Sequence, residues 1–171
     1  MSMTYRNKTY VSFDADKDMR YYNLMRAWRD NDNMPFYFHD AHDINNLREW
    51  SNEETIKGKL RDRLNNSKLF ILLVWESTKF LYKFVRREIE EAIKLWLPII
   101  VVNLNWIRKV DKDNCPPIAR DTLSLHVSFH SNIIIKAMRE RPSLDAKFRW
   151  EWITTSYYYE DHVYQSLWIN E

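Results

Sequence analysis

The clearest indication of the fold is the run Leu69-Phe70-Ile71-Leu72-Leu73-Val74, followed after a polar turn by the run Phe84-Val85-Arg86-Arg87-Glu88-Ile89-Glu90-Glu91-Ala92. The first run is continuously apolar, which is typical of a parallel strand that is covered on both faces. The second run carries an apolar stripe at helical spacing, so the two predict a strand, a turn and a helix. Open α/β sheets bind their ligands at the carboxyl edge of the strands, where such a turn lies. Glu88, just past the start of the predicted helix, is therefore the candidate catalytic group.

Helical geometry separates Glu88 from the two glutamates that follow it. At about 100° per residue, the apolar residues of this helix form one stripe, made of Val85, Ile89, Ala92, Ile93 and Trp96. Glu88 is then roughly 80° from the centre of the stripe, whereas Glu90 and Glu91 are roughly 115° and 145° away. We expect Glu88 at the margin between core and solvent, and Glu90 and Glu91 in water. The alternative is a solvated helix face on which Arg86 and Arg87 are ordinary ion-pair partners.

Composition excludes several classes of protein. The 171 residues suit a single domain, and 45% of them are hydrophobic, which argues against disorder. The formal net charge is +2, so no overall basic field indicates a nucleic-acid partner. The single glycine, Gly58, excludes a Rossmann fingerprint and a Walker loop, because both need several glycines to bring the backbone close to phosphate.

The cysteine count and the apolar runs limit the chain further. The single cysteine, Cys115, excludes an internal disulfide and a cysteine-cluster zinc site. The longest apolar runs are too short to span a bilayer, and the amino terminus lacks the apolar core of a signal peptide. We therefore expect a cytoplasmic protein with no membrane partner and no nucleic-acid partner.

Strands and helices alternate along the chain. Strands are predicted at residues 9–13, 36–38, 69–74, 99–104 and 123–127, with helices between them. Ser51 and Glu54 have the spacing of a capping box, which would start a helix that stops near Asn65. The alternation predicts an α/β, flavodoxin-like three-layer fold with a central parallel sheet of about five strands.

The carboxyl-terminal part has weaker patterns. A helix is predicted at residues 132–139, and the tail from Phe148 onward is rich in Trp and Tyr without a clean period. We expect this tail to pack as an irregular, aromatic-rich appendage. The expected division is a main domain over residues 1–128 and an extension over residues 129–171 that packs on the same domain.

Three segments together carry a likeness to a known family. Tyr10-Val11-Ser12-Phe13 has an aromatic or apolar pair followed by serine and an aromatic residue. Phe36-Tyr37-Phe38-His39-Asp40 is a strand followed by an acidic residue that opens a loop. Ser77-Thr78 followed by Phe84-Val85-Arg86-Arg87-Glu88-Ile89 is similar to the element S-T…W-V-x-x-E-I, with Phe84 in place of tryptophan. In this order the segments resemble the TIR-like proteins of the bacterial Thoeris anti-phage systems (ThsB-like proteins), over about residues 8 to 105.

The resemblance implies an enzyme of NAD. Enzymatic TIR domains cleave the bond between nicotinamide and ribose, and they release ADP-ribose, cyclise it or transfer it to give a signalling nucleotide. Positive charge develops on the ribose carbon, and a nearby carboxylate stabilises it. Glu88 would supply that carboxylate, with NAD+ as substrate and no other cofactor. The alternative is a non-catalytic TIR scaffold that signals by protein assembly.

Substrate-binding residues follow from the resemblance and from the sheet edge. The candidates are Ser12, Phe13, Asp14, Asp40, Trp50, Ser77 and Phe84. Phe13 and Phe84 can form an apolar wall for the nicotinamide-side ribose, or they can belong to the core. Ser12 and Asp14 can bond the ligand or cap a turn. Trp50 can stack on a base or on a neighbouring subunit, or it can anchor its loop.

The loop between the second strand and the next helix contains His39-Asp40-Ala41-His42-Asp43. Clustered ligands of this kind can hold a divalent metal, but no remote partner is evident, so we predict no metal site. In the TIR interpretation this loop mediates contacts between domains, which predicts a homo-oligomer. The resemblance further implies a separate effector protein that is reached through the nucleotide messenger.

Overall fold

The computed structural model describes residues 8–31, 37–38, 52–80 and 84–170. Within them, a sheet has the strand order β2-β1-β3-β4-β5-β6, and each pair of neighbouring strands is parallel. The strands are β1 (Lys8–Ser12), β2 (Tyr37–Phe38), β3 (Ser67–Val74), β4 (Ile99–Asn103), β5 (Leu125–Ser128) and β6 (Tyr157–Tyr158). The predicted flavodoxin-like parallel sheet is confirmed, and a strand of two residues extends it beyond β5.

Helices cover both faces of this sheet. They are α1 (Met19–Asp30), α2 (Glu53–Asn65), α3 (Val85–Lys94), α4 (Pro117–Arg120), α5 (Ser131–Trp150) and α6 (Asp161–Ser166). One core cluster joins the sheet to α1, α5 and α6, and the other joins it to α2, α3 and α4. The molecule therefore has the three layers that the sequence predicts.

Strand β1 shows how the sequence assigns side chains to these two faces. Because successive strand residues point to opposite sides, Tyr10 and Ser12 share one face, and Val11 points to the other. Tyr10 belongs to the cluster on the α3 side, whereas Val11 and Phe13 belong to the cluster on the α1 side. The α3 side of β1 thus presents two hydroxyl groups at the carboxyl end of the strand.

Two helix ends differ from the predictions. Helix α2 starts one residue later than the capping-box spacing predicts, because Asn52 is its N-cap and accepts a hydrogen bond from the backbone N–H of Thr55 at 2.8 Å. Helix α3 ends at Lys94, before Trp96. Trp96 has a φ of 57° and 68% exposure, so its assignment to the apolar stripe is wrong. Leu97 is the residue that turns back into the core.

The segment after residue 128 is more regular than predicted. Helix α5 continues through Pro142 to Trp150, although proline normally ends a helix and the prediction stops at residue 139. The aromatic tail then adds β6 to the sheet, and α6 buries Tyr164 completely in the core. The expectation of an irregular tail is therefore wrong in detail. The division at residues 128 and 129 stays a prediction.

Candidate active site

Glu88 lies in the first turn of α3, and only 4% of its surface is exposed. Tyr10 donates a hydrogen bond from its hydroxyl to Oε1 of Glu88 at 2.9 Å, and the Ser12 hydroxyl donates to Oε2 through a short contact. Both donors come from β1, which lies beside β3, the strand that leads into α3. The carboxylate therefore lies at the β1/β3 position, where the strand order reverses and where open α/β sheets bind ligands.

The neighbours of Glu88 on α3 point away from this position. Glu90 pairs with Arg86 at 2.8 Å, and Glu91 pairs with Lys94 at 2.8 Å. Their side chains are 37% and 21% exposed, so both are more exposed than Glu88, as expected, but both are half-buried and Glu91 is less exposed than Glu90, the reverse of the expected angular order. Glu88 is deeper than the expected margin because the two hydroxyls of β1 satisfy its oxygens inside the protein. Arg87 pairs with Glu53 on α2.

Asp14 and Ser77 form a second polar contact at the same edge. The Ser77 hydroxyl donates to Oδ2 of Asp14 at 2.8 Å, and the backbone N–H of Asp16 donates to Oδ1 at 3.1 Å. These bonds join the loop after β1 to the loop after β3, so the structure brings together the Ser12, Asp14 and Ser77 candidates. The bond from Asp16 is the turn-capping role that the sequence left open for Asp14.

The two candidate phenylalanines lie in different surroundings. Phe13 is 6% exposed and stacks on Tyr22, with ring centroids 4.8 Å apart, in the cluster on the α1 side. This is the core-packing alternative, and it directs Phe13 away from Glu88. Phe84 is half-buried and precedes α3, where its carbonyl accepts a hydrogen bond from the backbone N–H of Glu88 at 3.0 Å. Asp40 and Trp50 lie outside the described residues.

Sequence reasoning missed two groups near this site, Tyr10 and Asp18. Tyr10 could have been found, because it lies two residues before Ser12 on a strand and so shares its face. Asp18 is 1% exposed, and its Oδ2 has no hydrogen-bond partner among the described residues. Loss of hydration, reinforced by the nearby Asp14 carboxylate, raises the pKa of Asp18 to about 6. No sequence signal distinguishes this aspartate from an ordinary residue at a helix start.

Three further reactive side chains, Ser124, His126 and Cys115, are buried in the core. The Ser124 hydroxyl lies 3.2 Å from Nε2 of His126, but both residues are fully buried, so a substrate cannot reach the serine. Burial lowers the pKa of His126 to about 4 and raises the pKa of the Cys115 thiol to about 12. Neither group supplies an accessible base or nucleophile at neutral pH.

A small cavity borders the start of α3. It has a volume of about 160 Å³ and is lined by Thr78, Lys79, Val85, Arg86, Pro116, Pro117 and Ile118. This volume is below the usual range of small-molecule sites, so the cavity can hold only part of a dinucleotide. Two of its lining residues are cations, which suit a phosphate or pyrophosphate group.

The described residues contain neither a metal-binding cluster nor a membrane-spanning helix. In the ranges that the structure describes, no three His, Cys, Asp or Glu side chains lie close enough to hold a metal ion. The His39–Asp43 loop lies outside these ranges, so the absence of a metal stays a prediction. Among the described helices, none is both long enough and apolar enough to cross a bilayer.

Comparison with known families agrees with the fold. The family model for the TIR-like domain of the Thoeris protein ThsB matches residues 10–109. The matched region is more than half of the 171 residues and contains residues 10–12 of β1 and the whole of β3 and α3. The chain therefore belongs to the defence-related Thoeris ThsB family of TIR-like domain proteins.

Proposed function

We propose that this chain is a TIR-type enzyme that cleaves the nicotinamide–ribose bond of NAD+, with Glu88 as its catalytic carboxylate. The observation that carries the proposal is the position of Glu88, a carboxylate held by Tyr10 and Ser12 where the strand order reverses. Membership of a TIR-like family supports the same chemistry.

Bond cleavage makes one main demand on the protein. The bond between the ribose carbon and the ring nitrogen breaks, and its electron pair returns to the cationic nicotinamide ring, which leaves as a neutral molecule. The ribose carbon becomes positively charged, and a fixed carboxylate stabilises that charge most strongly where water is excluded. Since the leaving group needs no proton, one carboxylate is enough. Water or an acceptor hydroxyl or nitrogen then attacks the ribose carbon and loses a proton.

Substrate binding has to uncover Glu88. In the present arrangement both oxygens of its carboxylate accept hydrogen bonds from hydroxyl groups of β1. A ribose hydroxyl can take the place of the Ser12 hydroxyl, because it offers the same donor at the end of the strand. Tyr10 would then remain as the internal donor, since it is 1% exposed and stacks on Phe70 with nearly parallel rings 5.7 Å apart.

The remaining contacts of NAD+ fit the surrounding residues in part. Phe84 is the better candidate for an apolar wall beside the ribose, because it precedes α3 directly, whereas Phe13 packs on the other face. Lys79 and Arg86 line the cavity next to α3 and can meet the pyrophosphate. Ser12, Asp14 and Ser77 supply polar groups at the same edge.

The product would be a signalling nucleotide derived from ADP-ribose, in either a linear or a cyclic form. In this proposal the chain acts in the cytoplasm, where NAD+ is abundant, and the nucleotide carries the signal to a separate effector protein. NAD+ is the substrate, and the chain requires no resident cofactor.

Nicotinamide release tests the proposal. Purified protein, and lysate of phage-infected cells that express it, are incubated with NAD+ beside the Glu88→Gln variant. Glu91→Gln is the matched control, because it makes the same change three residues further along α3 on a side chain that pairs with Lys94. We expect release by the wild type and by Glu91→Gln, and none by Glu88→Gln with an unchanged unfolding transition. Turnover by Glu88→Gln would disprove the assignment.

A non-catalytic scaffold is the second candidate function. The observation in its favour is the burial of Glu88, because a carboxylate whose two oxygens are both bonded inside the protein also serves as a structural link between β1 and α3. If neither lysate nor purified wild type consumes NAD+ while phage defence persists in the Glu88→Gln strain, the scaffold is favoured.

A further inference from the structure

Among the described residues, four tryptophans have left-handed backbone conformations. Their φ angles are 57° at Trp96, 68° at Trp106, 60° at Trp152 and 60° at Trp168, and each is followed by leucine or isoleucine. Bulky residues rarely adopt positive φ, because Cβ then crowds the carbonyl oxygen at a cost of about 1–2 kcal/mol per residue. The stability of the fold does not explain why this strained conformation is repeated at four tryptophans.

Three of these tryptophans end a helix in the same way. The N–H of the residue after Trp96, Trp152 or Trp168 bonds to the carbonyl five residues earlier, at 3.0, 2.9 and 3.1 Å. This is the Schellman arrangement, in which glycine is the usual left-handed residue. Here the side chains at that position are 68%, 88% and 89% exposed. The chain thus has large exposed rings at helix-end positions where glycine would be less strained.

Two of the three lie together with a third exposed ring at one end of the sheet. Helix α3 ends just before β4 and α5 ends just before β6, so Trp96, Trp150 and Trp152 all lie at the amino edge. The Arg149 guanidinium lies 4.9 Å from the centroid of the Trp96 ring and joins these groups. We call Trp96, Arg149, Trp150 and Trp152 the amino-edge cluster.

Ion pairs inside the molecule hold this cluster in position. Nε of Arg149 lies 2.6 Å from Oδ2 of Asp145, and Asp145 in turn pairs with Arg141 at 2.8 Å. Arg141 is completely buried and donates to the backbone carbonyls of Ile99 and Leu123, both at 3.2 Å. The Trp96 ring is therefore linked through Arg149 and Asp145 to a residue of the core.

The charges around the cluster identify the kind of partner. Lys94 pairs with Glu91 at 2.8 Å, Lys147 approaches Glu151 at 4.0 Å, and Arg149 is paired with Asp145. Binding to an anionic lipid surface or to nucleic acid relies on cations that are available to the ligand. A nearly neutral aromatic surface with an arginine is instead typical of the centre of a protein–protein interface.

We propose that a second copy of this chain covers the amino-edge cluster, cluster against cluster about a two-fold axis. A two-fold interface brings a surface against itself, so it favours a patch without net charge. The exposed parts of Trp96, Trp150 and Trp152 amount to about 600 Å², close to the roughly 800 Å² per partner of a stable interface. The interface lies at the end of the sheet opposite to Glu88 and does not depend on the proposed function.

Sedimentation velocity of the purified full chain at increasing concentration tests the proposal. We expect the wild type to dimerise and the double variant Trp96→Gly, Trp152→Gly to stay monomeric over the same range. Glycine suits both positions, so the melting temperature of the monomer should not fall, and a loss of dimer will not reflect misfolding.

Trp168→Gly is the matched control. Trp168 has the same backbone position and 89% exposure, but the carbonyl of Leu167 beside it accepts a bond from Asn132, at the start of α5. The cluster at the end of α5 is about 27 Å away along the helix. This variant should dimerise as the wild type does.

Three outcomes would overturn the proposal. The first is a wild type that is monomeric up to its solubility limit, and the second is equal loss of dimer in Trp168→Gly. The third is a monomer that cosediments with vesicles of phosphatidylcholine and phosphatidylglycerol, since that result would assign the cluster to a membrane surface.

Discussion

Tyr10 and Glu88 are 78 positions apart in the sequence and share a buried hydrogen bond of 2.9 Å. The Tyr10 ring stacks on Phe70 of β3 with an interplanar angle of 3°, so the neighbouring strand fixes the direction of its hydroxyl. The bond joins the first strand to the helix that carries the proposed catalytic group. Its loss should therefore affect both stability and the proposed chemistry.

Tyr10→Phe removes this bond and keeps the ring on Phe70. A hydrogen bond to a charged group contributes about 1.5–3 kcal/mol, so we expect the free energy of unfolding in urea to fall by about that amount. Nicotinamide release should fall as well if Glu88 is catalytic. The same change in the Glu88→Gln background is the control, and a fall of equal size there would contradict coupling between the two residues.

Asp18→Asn should stabilise the protein above pH 6. The pKa of Asp18 is raised from 3.8 to about 6 in the folded state, so between these values the folded state binds more protons than the unfolded state. Stability is therefore lost as the pH rises through this window, by about 3 kcal/mol in total. Urea unfolding at pH 4, 5, 6 and 7 should give a difference between variant and wild type that grows with pH. Asp16→Asn, which removes an exposed carboxylate from the same loop, is the matched control.

Trp152→Gly should stabilise the monomer. Glycine removes the strain of a φ of 60°, which costs about 1–2 kcal/mol, and loses part of that gain to the greater freedom of the unfolded chain. We expect a net gain of about 0.5–1 kcal/mol in urea unfolding at low protein concentration. Trp152→Ala removes the ring but keeps Cβ, so an equal gain in that variant would show that strain is not the cause.

Arg141→Met should be strongly destabilising. The change removes the fully buried partner of Asp145 and the donor to the carbonyls of Ile99 and Leu123. Breaking a buried ion pair from one side costs about 3–5 kcal/mol. Arg149→Met removes the more exposed partner of the same carboxylate and should cost about 1 kcal/mol. Equal losses in the two variants would contradict this ranking.

The sequence predicts the sheet well because the fold depends on patterns that local residues carry. The apolar runs of β3 and β4 and the stripe of α3 give strands, order and layers without knowledge of distant contacts. The contacts of Glu88 with Tyr10 and Ser12 join α3 to a strand 78 and 76 positions away, so no local pattern reveals them. The sequence also placed Glu88 deeper than Glu90 and Glu91, but the hydroxyls that draw it inside come from another strand.

Predictions failed where tertiary contacts outweigh local preference. Helix α5 passes through Pro142 because packing on β4 and β5 and the buried Arg141–Asp145 pair hold it on both sides of the proline. Trp96 satisfies the helical period but follows the last turn of α3, where Leu97 takes the buried position. Asp18 has an ordinary helix-start sequence, and only the structure reveals that its carboxylate is buried beside Asp14.

The length of β3 keeps the electrostatic interaction between the two ends of the sheet weak. Its eight residues span about 26 Å, and two unit charges that far apart interact by only about 0.6 kcal/mol at an effective dielectric constant of about 20. A charge added or removed near Trp150 therefore leaves the electrostatic potential at Glu88 nearly unchanged. Substitutions at the amino edge can therefore change the charge of that surface with little effect on the electrostatic potential at the acidic groups of the carboxyl edge.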